Sequence, residues 1–272
     1  MKPYFVVFAF CAAVAFWGCK KGPQPAPAPP SDGYQLVWSD EFNYNGLPDS
    51  TKWSYNVGGD GWGNNEAEYY TKARLKNSEV KDGFLFINAI KEDFGGKKYT
   101  SARLVTRGKG DWVYGRIEVR AKLPSGTGMW PAIWMLPTDY AYGGGYNSGE
   151  IDIMENLGYI PYYIVATAQT HTYTHVLGTQ KTALIYISDC YSQFHNYTLE
   201  WDASECRVYV DSALYFTFKN EGAGFQTWPF DKRFHLLLNV AVGGTYGGVQ
   251  GIDDSIFPRS MVVDYVRVYQ KK

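Results

Sequence analysis

The sequence predicts an all-β fold of two packed antiparallel sheets, and three observations carry that prediction. The chain holds 23 Tyr, 15 Phe and 9 Trp against only 19% charged residues, a bias towards side chains that fill pleated, half-buried surfaces. Its 29 glycines supply many turns. From Tyr34 onward, short runs alternate apolar with polar residues, and no long helical stripe interrupts them. A length of 272 residues allows one large β-domain with a sizeable core. With 26 basic and 27 acidic residues the charge is balanced, so nothing points to nucleic acid as a partner.

Residues 1–19 stand apart from the fold. They read MKPYFVVFAFCAAVAFWGC, a lysine and then an apolar run too short for a membrane span. Small Gly18 precedes Cys19, and charge follows at Lys20 and Lys21, a pattern that resembles a lipoprotein signal with Cys19 as the mature N-terminus. An ordinary cleaved signal peptide is the alternative, and either implies export. Residues 20–33 form a Pro/Ala-rich linker of extended polyproline character, suited to tether a domain to an anchor.

The domain then runs from 34 to 272 without a break in composition. Residues 83–90, 197–201, 206–210, 234–242 and 262–270 read as strands, and 114–124 alternates Ile117, Val119, Ala121 and Leu123 with charged residues, a half-buried antiparallel strand. Asp211 and Ser212 read as a hairpin turn. The 64–76 stretch shows no convincing helical stripe. Cys190 and Cys206 are an even pair in an exported chain, which permits a disulfide. A hairpin of 194–201 with 205–210, however, sets Cys206 opposite about residue 200, which argues against the bridge.

The run SGEIDIMEN (148–156) poses a spacing problem. On a plain strand Glu150 and Asp152 share a face and Glu155 takes the other. A β-bulge at Ile153 and Met154 resets the alternation and brings all three acids to one face. The two glutamates are then about 13 Å apart at Cα, leaving their carboxyls about 5 Å apart, the separation of retaining rather than inverting glycosidases. Asp152, between them, is placed to share a proton and spread their pKa values. Read blandly, three acids on a strand are a solvated face.

The neighbouring aromatics favour the chemical reading. Trp130 and Trp134, four apart in GMWPAIWMLP, share a strand face; in a core they would be packing, but beside carboxylates their indoles suit flat sugar faces. Trp62, Asn64, Asn65 and Glu66 form a polar-aromatic loop suited to hydroxyls. In QTHTYTH, Gln169, His171, Tyr173 and His175 alternate as on a strand. No third ligand accompanies the histidines, so a hydrogen bond to a sugar hydroxyl is preferred over a metal.

These stretches, with LVWSDEFN, SARLVTRGK, YGRIEVRAKLP, WPFDKRFHLLLNVAVGG and VDYVRVYQ, resemble glycoside hydrolase family 16, the laminarinase branch in particular, from about Leu36 to Gln270. The resemblance implies a β-jelly-roll sandwich of two antiparallel sheets with a concave substrate cleft, and retaining hydrolysis without a catalytic cofactor. By motif position it implies Glu150 as nucleophile, Asp152 as its assistant and Glu155 as acid/base. Asn64, Arg103, Trp130, Trp134 and His171 fall where the family binds sugar. The family also often carries a structural calcium ion, whose ligands map to the carbonyls of Glu41 and Gly83 and the carboxylate of Asp264; read alone, such an Asp is simply hydrogen-bonded. One departure is ATAQTHTYTH, where relatives more often carry a valine before the His-Thr pair.

The expected function is endo-acting cleavage of β-1,3-glucan of the laminarin type by a monomer, bound to a membrane only through its lipid anchor. Mixed-linkage glucan, or a galactan such as agar, carrageenan or porphyran, is the alternative substrate. A non-catalytic glucan-binding module is the alternative of another class, and the presence of both glutamates argues against it.

Overall fold

The computed structural model describes residues 33–272, so the signal and all of the linker but Gly33 lie outside the described residues. The chain forms strands β1 (Tyr34–Asp40), β2 (Ser54–Asn56), β3 (Glu68–Tyr70), β4 (Ser78–Lys81), β5 (Phe84–Phe94) and β6 (Lys97–Ser101). There follow β7 (Arg103–Val105), β8 (Asp111–Trp112), β9 (Gly115–Lys122), β10 (Met129–Pro137), β11 (Glu150–Asn156) and β12 (Tyr163–Gln169). The last six are β13 (Lys181–Tyr186), β14 (His195–Trp201), β15 (Glu205–Val210), β16 (Ala213–Lys219), β17 (Phe234–Val242) and β18 (Arg259–Lys271). Helix is confined to α1 (Gly244–Gly247) and three single 3-10 turns among the described residues.

Two sheets result. One runs β16-β15-β14-β9-β18-β5-β6-β3, with β1 on β18 and β4 on β5; the other runs β13-β12-β11-β10-β17-β7-β2, with β8 on β17. Pairing is antiparallel except for β3 with β6, a parallel contact the sequence pattern does not anticipate. Alternation decides which side of each strand is buried: Ile117, Val119 and Ala121 of β9 face Ile133, Met135, Leu236, Leu238 and Val240 of the second sheet in one shared core. The Asp211-Ser212 turn joins β15 to β16 with Val210 opposite Ala213, and Asp211 takes the positive φ of 54° that such a tight turn requires. Cys206 lies opposite Trp201, and Cys190 and Cys206 are separate, buried thiols.

Candidate active site

The second sheet turns its other face outward, and the acids lie there because of the bulge. Glu150 pairs with Gln169, Asp152 with Thr167 and Glu155 with Val165, all odd-numbered and therefore same-face positions of β12. Ile153 and Met154 together span the single step between Thr167 and Val165, and both are fully buried in the core with Ile151. The extra residue sits at the predicted position. The apolar pair anchors the strand from below while the carboxylates share the top.

Asp152 and Glu155 are buried and Glu150 partly so. Burial raises the Glu150 carboxyl to about 7, with the Glu155 charge adding to it, while the hydrogen bond from Gln169 and the charge of Arg103 pull it down. Burial likewise lifts Glu155 to about 7 against a bond from Trp130. Asp152 is raised well above its ordinary value, by burial first and then by both glutamates. Three carboxyls this close retain protons near neutrality, so one can donate while another attacks.

Donors fix the two glutamates. Gln169 Nε2 donates to Glu150 Oε1 at 2.7 Å, and the amide is oriented by His175, whose backbone N–H donates to Gln169 Oε1 and whose Nδ1 lies 2.8 Å from it. Trp130 Nε1 donates to Glu155 Oε1 at 2.8 Å. Trp134 Nε1 donates to Asn239 Oδ1, Asn239 Nδ2 donates to the Tyr70 hydroxyl, and that hydroxyl donates to Glu66. The buried Arg103 guanidinium lies between the rings of Trp62 and Trp134, 4.7 and 4.6 Å from their centroids. Its Nε is buried and has no hydrogen-bond partner among the described residues. Asn64 Nδ2 reaches Glu66 at 3.4 Å, and the Asn64 carbonyl accepts from Thr245.

The structure thus brings together Glu150, Asp152, Glu155, Trp130, Trp134, Arg103 and Asn64, and adds Gln169, Asn239 and Tyr70. Asn239 carried a signal, being the lone polar residue between the histidine and the end of FHLLLNVAV; Tyr70 carried none. The strand reading of 169–175 is corrected. β12 ends at Gln169 because the Thr170 N–H turns back to the Tyr173 carbonyl and the Thr174 side chain caps a 3-10 turn at 175–177. His171 is exposed in that loop, with Nδ1 2.7 Å from Asn147 Oδ1 near the Glu150 end.

No group of three or more His, Cys, Asp or Glu side chains gathers as a metal site among the described residues. The calcium set of Glu41, Gly83 and Asp264 depends mainly on carbonyls. β5 and β1 pair in succession with the same edge of β18, ending at Leu85 opposite Val263 and Asp40 opposite Val266. Gly83 and Glu41 adjoin those strands just outside their ends, and Asp264 lies in the interval of β18 between the two paired stretches. The Asp264 carboxylate is buried and ion-paired with Arg120, while the Glu41 carboxylate turns to Arg267 at 2.8 Å.

Comparison with known proteins identifies the family. The model of glycosyl hydrolases family 16 matches residues 61–266. A beta-glucanase of Rhodothermus marinus is 53% identical over 244 residues, covering 87% of this chain and 85% of that protein. The laminarinase structure from Rhodothermus marinus superposes with a TM-score of 0.86 at 54% identity, over 87% of this chain and 97% of the other. A non-specific endo-beta-1,3(4)-glucanase of family 16, co-crystallized with 1,3-beta-D-cellotriosyl-glucose, gives a TM-score of 0.85 at 46% identity, over 90% and 97%. The chain belongs to family 16 of the glycosyl hydrolases and is itself a glycoside hydrolase.

Proposed function

We propose that the chain is an endo-acting β-1,3-glucanase of the laminarinase type, cleaving by retaining double displacement. The observation that carries the mechanism is the bulge, which sets two glutamates of raised pKa on one face with an aspartic acid between them. The Glu150 carboxylate attacks the anomeric carbon as the bond to the leaving oxygen breaks, and protonated Glu155 gives that oxygen its proton. A glycosyl ester of Glu150 results. Glu155, now ionised, takes a proton from water, whose oxygen attacks the anomeric carbon and releases Glu150. Asp152 holds a proton against Glu150 and tunes its basicity. Trp130, Trp134, Arg103 and Asn64 grip the sugar on one side, and His171 borders the Glu150 end.

The named activities of the relatives support β-glucan as substrate. Arg103 and Arg107 are the cations a sulfated galactan would use, but Arg103 is stacked between indoles and Arg107 donates to the Thr138 carbonyl. Reducing-sugar release is expected to be faster from laminarin than from agarose or carrageenan, with mixed-linkage glucan also cut and the anomer retained by NMR. Cleavage of agarose alone refutes the substrate, and an inverted product refutes the mechanism.

The proposal extends to the envelope and to a metal. The chain is exported, lipidated at Cys19 and tethered by residues 20–33, with the catalytic domain acting as a monomer. Cys19→Ala is expected to abolish fatty-acid labelling and release the protein from membranes; unchanged labelling sinks the anchor. A structural calcium ion is held by the carbonyls of Glu41 and Gly83 and the Asp264 carboxylate. Oxygen-only donors at a gap in the strand edge suit that ion, and it shares Asp264 with Arg120.

A further inference from the structure

The row of side chains that contains Glu155 does not stop at β12. Val165, opposite Glu155, is itself opposite Leu184 of β13, and the same registers set Thr182 beside Thr167 and Tyr186 beside Tyr163. Cross-strand partners share a face, so these six residues continue the surface that carries the acids. Their counterparts Ala183 and Ile185 turn to the core. Most of the row beyond the acids is open: Tyr163 is 42% exposed, Leu184 53% and Tyr186 55%. Three such side chains together on a sheet that elsewhere faces a cleft form a patch that calls for a partner.

Two features decide the partner. The patch is uncharged, its polar groups being the tyrosine hydroxyls and the Thr167–Thr182 hydroxyl pair at 3.1 Å. Lys181, the one charged residue of β13, belongs to the opposite set of positions and lies over the Tyr173 ring at 4.1 Å. The aromatics are also held in place. The Tyr186 ring stands edge-on to Tyr163 at 5.3 Å and to Tyr162 at 5.9 Å, and Tyr162 in turn packs on Tyr191 at 5.0 Å. A rigid, neutral surface with an aromatic ring and hydroxyls fits the apolar face of a neutral sugar and gives no purchase to a sulfate.

We infer that Tyr186, Tyr163 and Leu184 form a distal sugar-binding platform. It receives the β-glucan chain beyond the scissile bond, on the side opposite the Trp62–Arg103–Trp134 stack. β13 lies about 10 Å across the sheet from β11, a span of about two sugar rings, so the platform serves long chains and not short ones. The inference rests on the β-glucanase reading, because the occupant is the far end of that substrate.

The experiment compares a β-1,3-linked glucose hexasaccharide with the trisaccharide, for wild type, Tyr186→Ala, Tyr186→Phe and the double variant Tyr163→Ala/Tyr186→Ala. Tyr186→Ala is expected to lower kcat/KM for the hexasaccharide about fivefold through KM, a change of about 1 kcal/mol, while the trisaccharide values hold. Tyr186→Phe keeps the ring and should keep wild-type kinetics; the double variant should lose more. Equal losses on both lengths, or none on the hexasaccharide, overturn the platform. So does a wild-type dimer in sedimentation that Tyr186→Ala dissociates, since the patch is then covered by a second copy. Calorimetry of both oligosaccharides on Glu150→Gln protein separates the two readings. Hexasaccharide affinity that falls with Tyr186→Ala supports the platform even if the wild type hydrolyses nothing, whereas no binding of the hexasaccharide overturns it.

Discussion

Glu150 and Glu155 are raised for the same first reason, burial, and that common cause links catalysis to stability. A buried acid whose pKa is higher in the folded chain than in the unfolded one binds its proton more tightly when folded. Folding is therefore favoured at low pH, and the advantage fades as pH climbs from the ordinary carboxyl range near 4.5 to about 7, after which it stays lost. Asp152, raised well above its ordinary value, extends the same slope upward. A neutral amide avoids this cost. Glu150→Gln is accordingly expected to raise the melting temperature by a few degrees at pH 8 and by little at pH 4, while removing nearly all turnover. A melting temperature lowered equally at both pH values would show that the carboxylate is not a strained, functional group. The acids and the two tryptophans were legible in the sequence because their side-chain types announce chemistry, whereas Arg103 entered only through the family resemblance. Tyr70 was not, because its value comes from hydrogen bonds to Asn239 and Glu66, and Asn239 is 169 positions away.

At the scale of elements, the bulge was legible because a reset of a two-residue period is written directly in the order of apolar and acidic residues. The 169–175 loop was not. Its Thr, Tyr and His residues alternate and favour strands, yet Thr170 and Thr174 offer hydroxyls that compete for the backbone, and Gly178 closes the turn in the left-handed region at φ 66°. The bulge itself admits a direct test. Deleting Met154 leaves Ile153 alone opposite Ala166, restoring plain alternation with all three acids still on the outer face. Met154 is fully buried, so its loss also thins the core; large-to-small changes of this kind cost about 2–5 kcal/mol. Far-UV circular dichroism is expected to keep a β-sheet spectrum. Activity on laminarin should fall at least tenfold, because Glu155 then rests on a backbone of different twist and loses its 2.8 Å bond from Trp130. Wild-type activity in the deletion variant would show that the bulge does not set the geometry of the acids.

For the whole molecule, β18 is the strand on which the first sheet depends, since it pairs with β9 along one edge and with β5 and then β1 along the other. That two-sheet architecture followed from composition and alternation; which strands meet did not, since partners such as β1 and β18 come from opposite ends of the domain. The junction where β5 gives way to β1 is where the proposed calcium ion sits, and its effect should be global rather than local. An ion that binds only the folded chain stabilises it by about 2.7 kcal/mol at a hundredfold excess over its Kd, which for a domain of this size is about 5–10 °C in melting temperature. Chelator is expected to lower the melting temperature by that order. Initial rates on laminarin at room temperature should barely change, because Asp264 lies in the first sheet, Glu41 and Gly83 adjoin its strands β1 and β5, and the acids lie on the outer face of the second sheet. Asp264→Ala should abolish the chelator effect, and it also strips Arg120 of its ion-pair partner, so the variant should melt below the chelated wild type. An unchanged melting temperature with chelator, together with no calcium by elemental analysis, removes the metal and leaves the Asp264–Arg120 and Glu41–Arg267 ion pairs at that junction.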